Sequence, residues 1–291
     1  MNSFLGVTFA VLAVLCWTAG DFSIQRGTRR FGNWATLFLI GVLGMILLFP
    51  FIQSELREVW GSPYLVTFFS FQSAVTLIGA LFLFEGLKQG KLAVIEPVFG
   101  LELPFTVFFS IIFGGELLGI STYLIIGGVF VGLLLVSATD LKFLHFHRTV
   151  FERGVLYAAI GSVVMGPMNF MTGFGSRETS PLFAIWVVHS FLAIVCFAYI
   201  IVRGEFKGLI KHIRTNPKTA LSLSFFDNAA WIFYGYSMVL IPISIATALG
   251  ESYIVLAAML GIFINKEKLR RHQIAGILVA ISCVTILAVT T

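Results

Sequence analysis

The sequence predicts an all-α membrane protein with about ten transmembrane helices arranged as two inverted five-helix repeats. Three observations predict it. Hydrophobic residues make up 58% of 291 residues and charged residues only 11%, with mean hydropathy +0.97, far from the balance of a water-soluble domain. Apolar runs of about 20 residues follow one another with short connections, as helices crossing a hydrocarbon core require. The basic residues then fall almost wholly on one side of the implied topology.

Taken in order, the expected spans are 4–24, 33–52, 63–87, 92–113 and 118–138, then 153–174, 180–202, 219–240, 244–264 and 272–289. The first run opens MNSFLGV, without the basic n-region of a signal peptide, so it is expected to stay as a helix. The fourth, LAVIEPVFGLELPFTVFFSIIFGGE over 92–116, holds Glu96 and Glu102 beside Pro97 and Pro104. Each proline removes a helix N–H and disturbs the carbonyl four residues earlier, which suits a bent helix lining a cavity. The ninth, ISIATALGESYIVLAAMLGIFINKE over 243–267, holds Glu251 in a corresponding place. In the fifth and tenth, Gly128-xxx-Gly132 and Gly276-xxx-Ala280 make small-residue faces for close helix packing.

The chain divides into a first repeat, 1–138, a linker, 139–152, and a second repeat, 153–291. An odd number of spans per repeat turns the second upside down relative to the first. Adding 148 takes Gly6 to Gly154, Asp21-Phe22 to Asn169-Phe170 and Gly132 to Ala280; from Glu102 to Glu251 the offset is 149, and from Glu116 to Glu267 it is 151. The loops after odd-numbered spans hold 17 of the 19 basic residues, leaving Arg57 and Arg177 opposite. That asymmetry puts those loops and the linker in the cytoplasm and both termini outside a plasma or bacterial inner membrane.

Composition excludes several classes. The net charge of +5 is spread over loops and forms no single patch for nucleic acid. Cys16, Cys196 and Cys283 lie inside apolar runs, with no CxxC or metal-ligand spacing, so neither disulfide nor metal is expected. No cofactor motif is present; Gly86-Leu-Lys-Gln-Gly90-Lys91 is a residue short of a phosphate loop and has no strand before it.

The ends of the two repeats carry a family resemblance. The first reads Glu116 with Gly127-Gly128; the second reads Glu267-Lys268-Leu269 with Gln273 and Gly276. With the span count and the two halves, these residues make the chain resemble the EamA-type branch of the drug/metabolite transporter superfamily. The second half fits the pattern well. The first departs, with Thr122 where the glutamine belongs and Trp17-Thr18 in place of Trp-Gly. The resemblance implies a secondary transporter with a central cavity lined by helices one, three, four, six, eight and nine, and with five and ten at the periphery. Glu116 and Glu267 are expected in turns at helix starts, where the helix dipole favours an acid.

The acids inside the spans are Asp21, Glu85, Glu96, Glu102, Asp227 and Glu251, and no lysine or arginine sits mid-span. Asp21, Glu85 and Glu96 lie near cytoplasmic helix ends, within reach of water or of Arg26, Lys88 and Lys91. Glu102, Asp227 and Glu251 lie too deep for that, which leaves protonation, an internal hydrogen bond or a bound cation. Glu102 and Glu251 are the expected proton-coupling sites. Glu102, Asp227, Glu251, Trp17, Trp231, Asp21 and Asn169 are the expected solute contacts, because acids beside aromatic rings cradle an organic cation. The plainer alternative is acids held structurally by hydroxyls or carbonyls. His189, mid-span in the seventh helix, reads first as a buried neutral histidine.

The functional expectation is a secondary active transporter of a small organic metabolite, cationic or zwitterionic, coupled to protons by alternating access. Its partners are solute, protons and the lipid bilayer. The alternative is a carrier of a neutral solute such as a sugar, or an amino-acid exporter, with the acids structural. An intramembrane enzyme would need a nucleophile–base set or metal ligands; HExxH and GxSxG are absent.

Overall fold

A computed structural model of the chain describes residues 2–90, 92–137, 153–256 and 270–291. The linker, Lys91, the end of the ninth expected span, Glu267 and Lys268 lie outside the described residues. Among those described, the secondary structure is all helical.

In the first half these are α1 (Asn2–Phe31), α2 (Asn33–Leu48), a 3-10 turn over Phe49–Phe51, α3 (Gln53–Trp60), α4 (Pro63–Gln89), α5 (Leu92–Phe99), α6 (Glu102–Ile112) and α7 (Ile120–Ser137). The second half gives α8 (Arg153–Glu178), α9 (Pro181–Val202), α10 (Phe206–Thr215), α11 (Pro217–Leu240) and α12 (Ile243–Gly250); the final helix is α13 (Arg271–Thr290). Among the described residues six helices are long and apolar enough to cross a membrane: α1, α2 with its 3-10 turn, α4, α8, α9 and α13. Shorter apolar helices cover Glu102–Ile112, Ile120–Leu135 and Ile243–Leu256. α11 is 24 residues long and carries Lys218, Asp227 and Asn228.

Helix starts follow local chemistry. α4 and α9 begin Ser-Pro: the Ser62 and Ser180 hydroxyls accept from the N–H of Leu65 (3.4 Å) and Phe183 (3.1 Å), and proline takes the first turn, where its missing N–H costs nothing. At α13 the Gln273 side chain accepts from the Arg270 N–H (2.9 Å), a physical reason for a glutamine at that place. Two features depart from expectation. α1 does not stop near residue 24 but continues through Arg26, Arg29 and Arg30 to Phe31, and the connection after α2 folds into the short helix α3.

The most extensive helix pairs are α1 with α11, α4 with α8, α7 with α13 and α2 with α9. Exchanging the halves turns the first pair into the second and returns the other two to themselves. The weaker pairs obey the same rule, α5 with α8 answering α12 with α1. Two repeats related by a pseudo-two-fold axis account for this pattern. In the α7–α13 pair the small residues meet: a Cβ built on Gly132 would lie 2.7 Å from the Ala280 backbone nitrogen. Ile46, Phe71, Leu124, Leu156, Ile194, Leu221 and Leu278 face outward, the apolar belt of a protein solvated by lipid.

Candidate functional site

Two helices are broken at mid-membrane, and each break carries a glutamate. Between α5 and α6 the ladder tightens: the Leu101 N–H donates to Val98 O (3.1 Å) and the Leu103 N–H to Gly100 O (3.3 Å). Pro104 has no N–H to offer Gly100, so the bond shifts back one residue and Glu102 opens the second segment. The single bent span expected over 92–113 is therefore two helices. After α12 the break has no proline. The Ser252 N–H and hydroxyl both donate to Leu249 O (3.1 and 2.6 Å), a local bond that competes with the helix ladder, and Glu251 sits in that turn.

The breaks meet a cavity of about 120 Å³, counted as space open to water centres. All seven residues expected at the solute site line it: Trp17 and Asp21 from α1, Glu102 from α6, Asn169 from α8, Asp227 and Trp231 from α11, and Glu251. No lysine or arginine lines it among the described residues. Trp17 is the centre of an aromatic cluster, with ring centroids 5.5 Å from Trp231, 4.9 Å from Tyr234 and 6.0 Å from Tyr253. Towards the ends of α1 and α4 the wall becomes apolar, with Ile24, Leu37, Leu83, Phe84 and Leu87.

Asp21, Glu102, Asp227 and Glu251 are buried carboxyl groups sharing the wall of one cavity, and Glu96 is buried on α5. Asp21 and Glu96 are buried, not solvated at a helix end as their sequence positions suggested, and no ion pair holds either among the described residues. Glu85 does pair, with Lys88 at 3.5 Å and with the Asn33 amide at 2.6 Å. The deeper acids differ in their partners. Glu102 accepts from the Asn169 amide (2.9 Å), whereas Glu251 Oε2 is buried with no protein partner.

Several lining residues had no role in the sequence reading. Gln72 donates to Thr172 Oγ1 (3.1 Å) and leaves its own carbonyl oxygen buried and unpartnered. Tyr234 donates to Thr247 Oγ1 (2.7 Å), and Tyr253 completes the aromatic cluster. A signal for Tyr234 was present, since it falls at i+7 from Asp227; Gln72 and Tyr253 carried none.

Glu116 behaves unlike the expectation of an acid serving its own turn. Its carboxylate reaches the N-terminus of α12 in the other half, where it accepts from the N–H of Ile243 (2.5 Å) and Ser244 (3.0 Å) and from the Ser244 hydroxyl (2.9 Å). Arg177 adds an ion pair at 3.3 Å and also donates to the carbonyls of Met238 (2.9 Å) and Ile241 (3.0 Å).

Comparison with known proteins agrees with this architecture. The family model described as "EamA-like transporter family" matches twice, over residues 4–138 and 152–289. No curated protein matches the chain. One solved structure, described only as "Crystal structure of protein", is similar over 97% of this chain and 94% of that one, with 16% identity and a TM-score of 0.66, a likeness of fold.

Proposed function

The chain belongs to the EamA-like transporter family, and we propose that it exchanges a small organic cation or zwitterion for protons across a cell membrane. Family and apolar helices together make it a multi-pass membrane protein that transports small molecules. The finer reading rests on one observation: four carboxyl groups, of Asp21, Glu102, Asp227 and Glu251, line one cavity beside the Trp17 cluster, with no lysine or arginine among the described lining. Like charges packed in a medium of low dielectric repel by several kcal/mol each, so such a cluster must hold protons or a cation.

In this proposal Asp21, Asp227, Trp17, Trp231 and Asn169 contact the solute, while Glu102 and Glu251 exchange protons with it. A site that cannot hold proton and solute together couples their opposite movements as the cavity opens to one side and then the other. The halves 1–138 and 153–291, joined by 139–152, would move against each other around the fixed site. The basic loops would face the cytoplasm and both termini the exterior.

A second reading has its own support. Gln72, Thr76, Asn169 and Thr172 are neutral polar groups in the same wall, and suit an uncharged solute such as a sugar with the acids structural. Amino-acid export is a further version of the alternative, but it would place a carboxylate in a cavity already rich in acids.

Proteoliposomes with a pH-sensitive dye inside separate these readings. Amines, amino acids and sugars are added with and without a pH gradient, for wild type and for Glu102→Gln and Glu251→Gln. Proton movement driven by an amine in the wild type, and reduced in both variants, is the expected result. Uptake of neutral solutes alone, unchanged in both variants, would make the acids structural and the mechanism wrong.

A further inference from the structure

We infer that His189 reads a hydrogen-bond donor on the solute, which makes the cavity select a primary ammonium over a quaternary ammonium of the same skeleton. This rests on the cavity being the transport site, and it adds a residue and a chemical distinction to that reading.

The geometry fixes which way the imidazole faces. His189 Nδ1 lies 2.8 Å from Asn228 Oδ1 on α11. The Asn228 amide nitrogen is already committed, donating to Ile40 O at 3.0 Å and Ser224 O at 2.8 Å. The oxygen must therefore face the ring, so Nδ1 carries the proton and donates, and Nε2 is left with a lone pair. His189 lines the cavity, and Nε2 is not among the side-chain atoms sealed away without a partner. The free lone pair thus opens onto the cavity.

The surrounding wall is short of donors. Gln72 Oε1, Asn169 Oδ1 and Glu251 Oε2 are buried with no partner, on residues that all line the same space. For Gln72 and Asn169 the amide nitrogens are spent on Thr172 and Glu102, so the unpaired atoms are acceptors. These three oxygens are themselves sealed off, so the acceptor that a ligand N–H can reach here is His189 Nε2, and bonding it removes the cost of leaving it unpaired.

The Trp17 cluster pulls the other way. Aromatic rings attract any organic cation, and quaternary ammonium groups are a familiar ligand of aromatic cages. Rings and carboxylates alone would therefore accept both head groups. The difference lies in the N–H bonds. A primary ammonium offers three donors to His189 Nε2 and the acids, whereas a quaternary nitrogen offers none and leaves Nε2 desolvated and unpaired. A site built to bond a donor rejects the analogue that lacks it much more strongly than it rejects a change of size.

The test is isothermal titration of the full chain in lipid nanodiscs, with phenethylamine and its N,N,N-trimethyl salt as probes. Wild type should bind the primary amine about tenfold or more tightly than the quaternary salt. Two variants then divide the roles of the ring. His189→Asn keeps a donor near Nδ1 for Asn228 and removes the cavity acceptor; the preference should fall towards unity. His189→Gln places an amide oxygen near Nε2 and gives up the Asn228 bond; the preference should survive. Equal or tighter binding of the quaternary salt by wild type overturns the inference while leaving cation transport intact. An unchanged preference in His189→Asn, with loss of melting temperature in His189→Gln, overturns it too, and makes His189 a strut for Asn228. If folded wild type binds neither probe, the cation reading falls and takes this inference with it. The wild-type ratio needs no substitution, so it decides the matter even where a variant fails to fold.

Discussion

The break at Glu102 and the break at Glu251 occupy corresponding places in the two halves, yet they are held in different ways. The first is built into the backbone. Pro97 and Pro104 bracket it, Thr106 donates to both Glu102 O (2.9 Å) and Gly166 O (3.0 Å), and the Asn169 amide holds the carboxyl. The second has no proline, and one oxygen of its glutamate has no protein partner. Its half-helix is instead secured at the far end, where Glu116 of the opposite half grips the first N–H groups of α12. One acid is fastened, and the other keeps an oxygen with no partner among the described residues. A symmetric fold can thus hold its two acids unequally, which on the proposed mechanism makes Glu251 the readier of the two to exchange protons.

The sharpest way to break this comparison is to neutralise each acid in turn. Glu251→Gln should reduce transport driven by a pH gradient by about a hundredfold, since a free mid-membrane acid is the group that can load and unload. Glu102→Gln should cost only about tenfold, because a glutamine carbonyl can still accept from Asn169. Initial rates in proteoliposomes measure both; equal losses would mean that the Asn169 bond makes no difference.

The anchoring of α12 comes next. Glu116→Ala removes the acceptor for two helix N–H groups, a hydroxyl and Arg177, and should lower stability by about 2–4 kcal/mol. Thermal melting in detergent reads this, and a near-neutral result would deny Glu116 its part in placing Glu251. Glycines beside the breaks separate them by a smaller margin. A Cβ on Gly166 would lie 2.4 Å from Phe105 Cβ and 3.0 Å from Glu102 O, so Gly166→Ala should cost about 1–3 kcal/mol through backbone displacement. At Gly250 the nearest atoms are ring carbons of Tyr234 (3.2 Å) and Trp17 (3.5 Å), which can yield, and Gly250→Ala should cost under about 1 kcal/mol. The reverse order in melting temperature would show that the aromatic cluster, and not the proline-built break, is the stiffer part. Pro104→Ala should have the smallest effect, below about 1 kcal/mol, because Leu103 already satisfies Gly100 O.

Much of this site was legible in the chain. Glu102, Asp227 and Glu251 stand out because an acid at mid-membrane depth is rare and costly, and Asn169 was found as the repeat partner of Asp21. Prolines 97 and 104 announced a disturbed helix but not a complete break. What could not be read was rotational phase. In water an apolar stripe shows which face is buried; in lipid Phe71 faces outward while Phe69 is buried, and both are phenylalanine. Gln72, Tyr253 and the cavity-facing edge of His189 therefore had no periodic signal. Asp21 looked solvated because sequence counts distance to a helix end, and α1 extends about two turns further than its apolar run. Glu116 was expected at a helix start and serves one, but the helix it caps lies 127 residues away, which no local pattern could show.

Each of the four broadest helix pairs takes one member from each half. This arrangement shapes how the protein is made. A ribosome completes α1, α2, α4 and α7 before any of α11, α9, α8 or α13 has emerged, so the early helices enter the bilayer with their mating surfaces turned to lipid. Glu102 arrives in the same interval, before Asn169 exists to hold it. The newly inserted first half is thus a waiting surface, open to insertion chaperones and to quality-control proteases until its other half is threaded in the opposite sense.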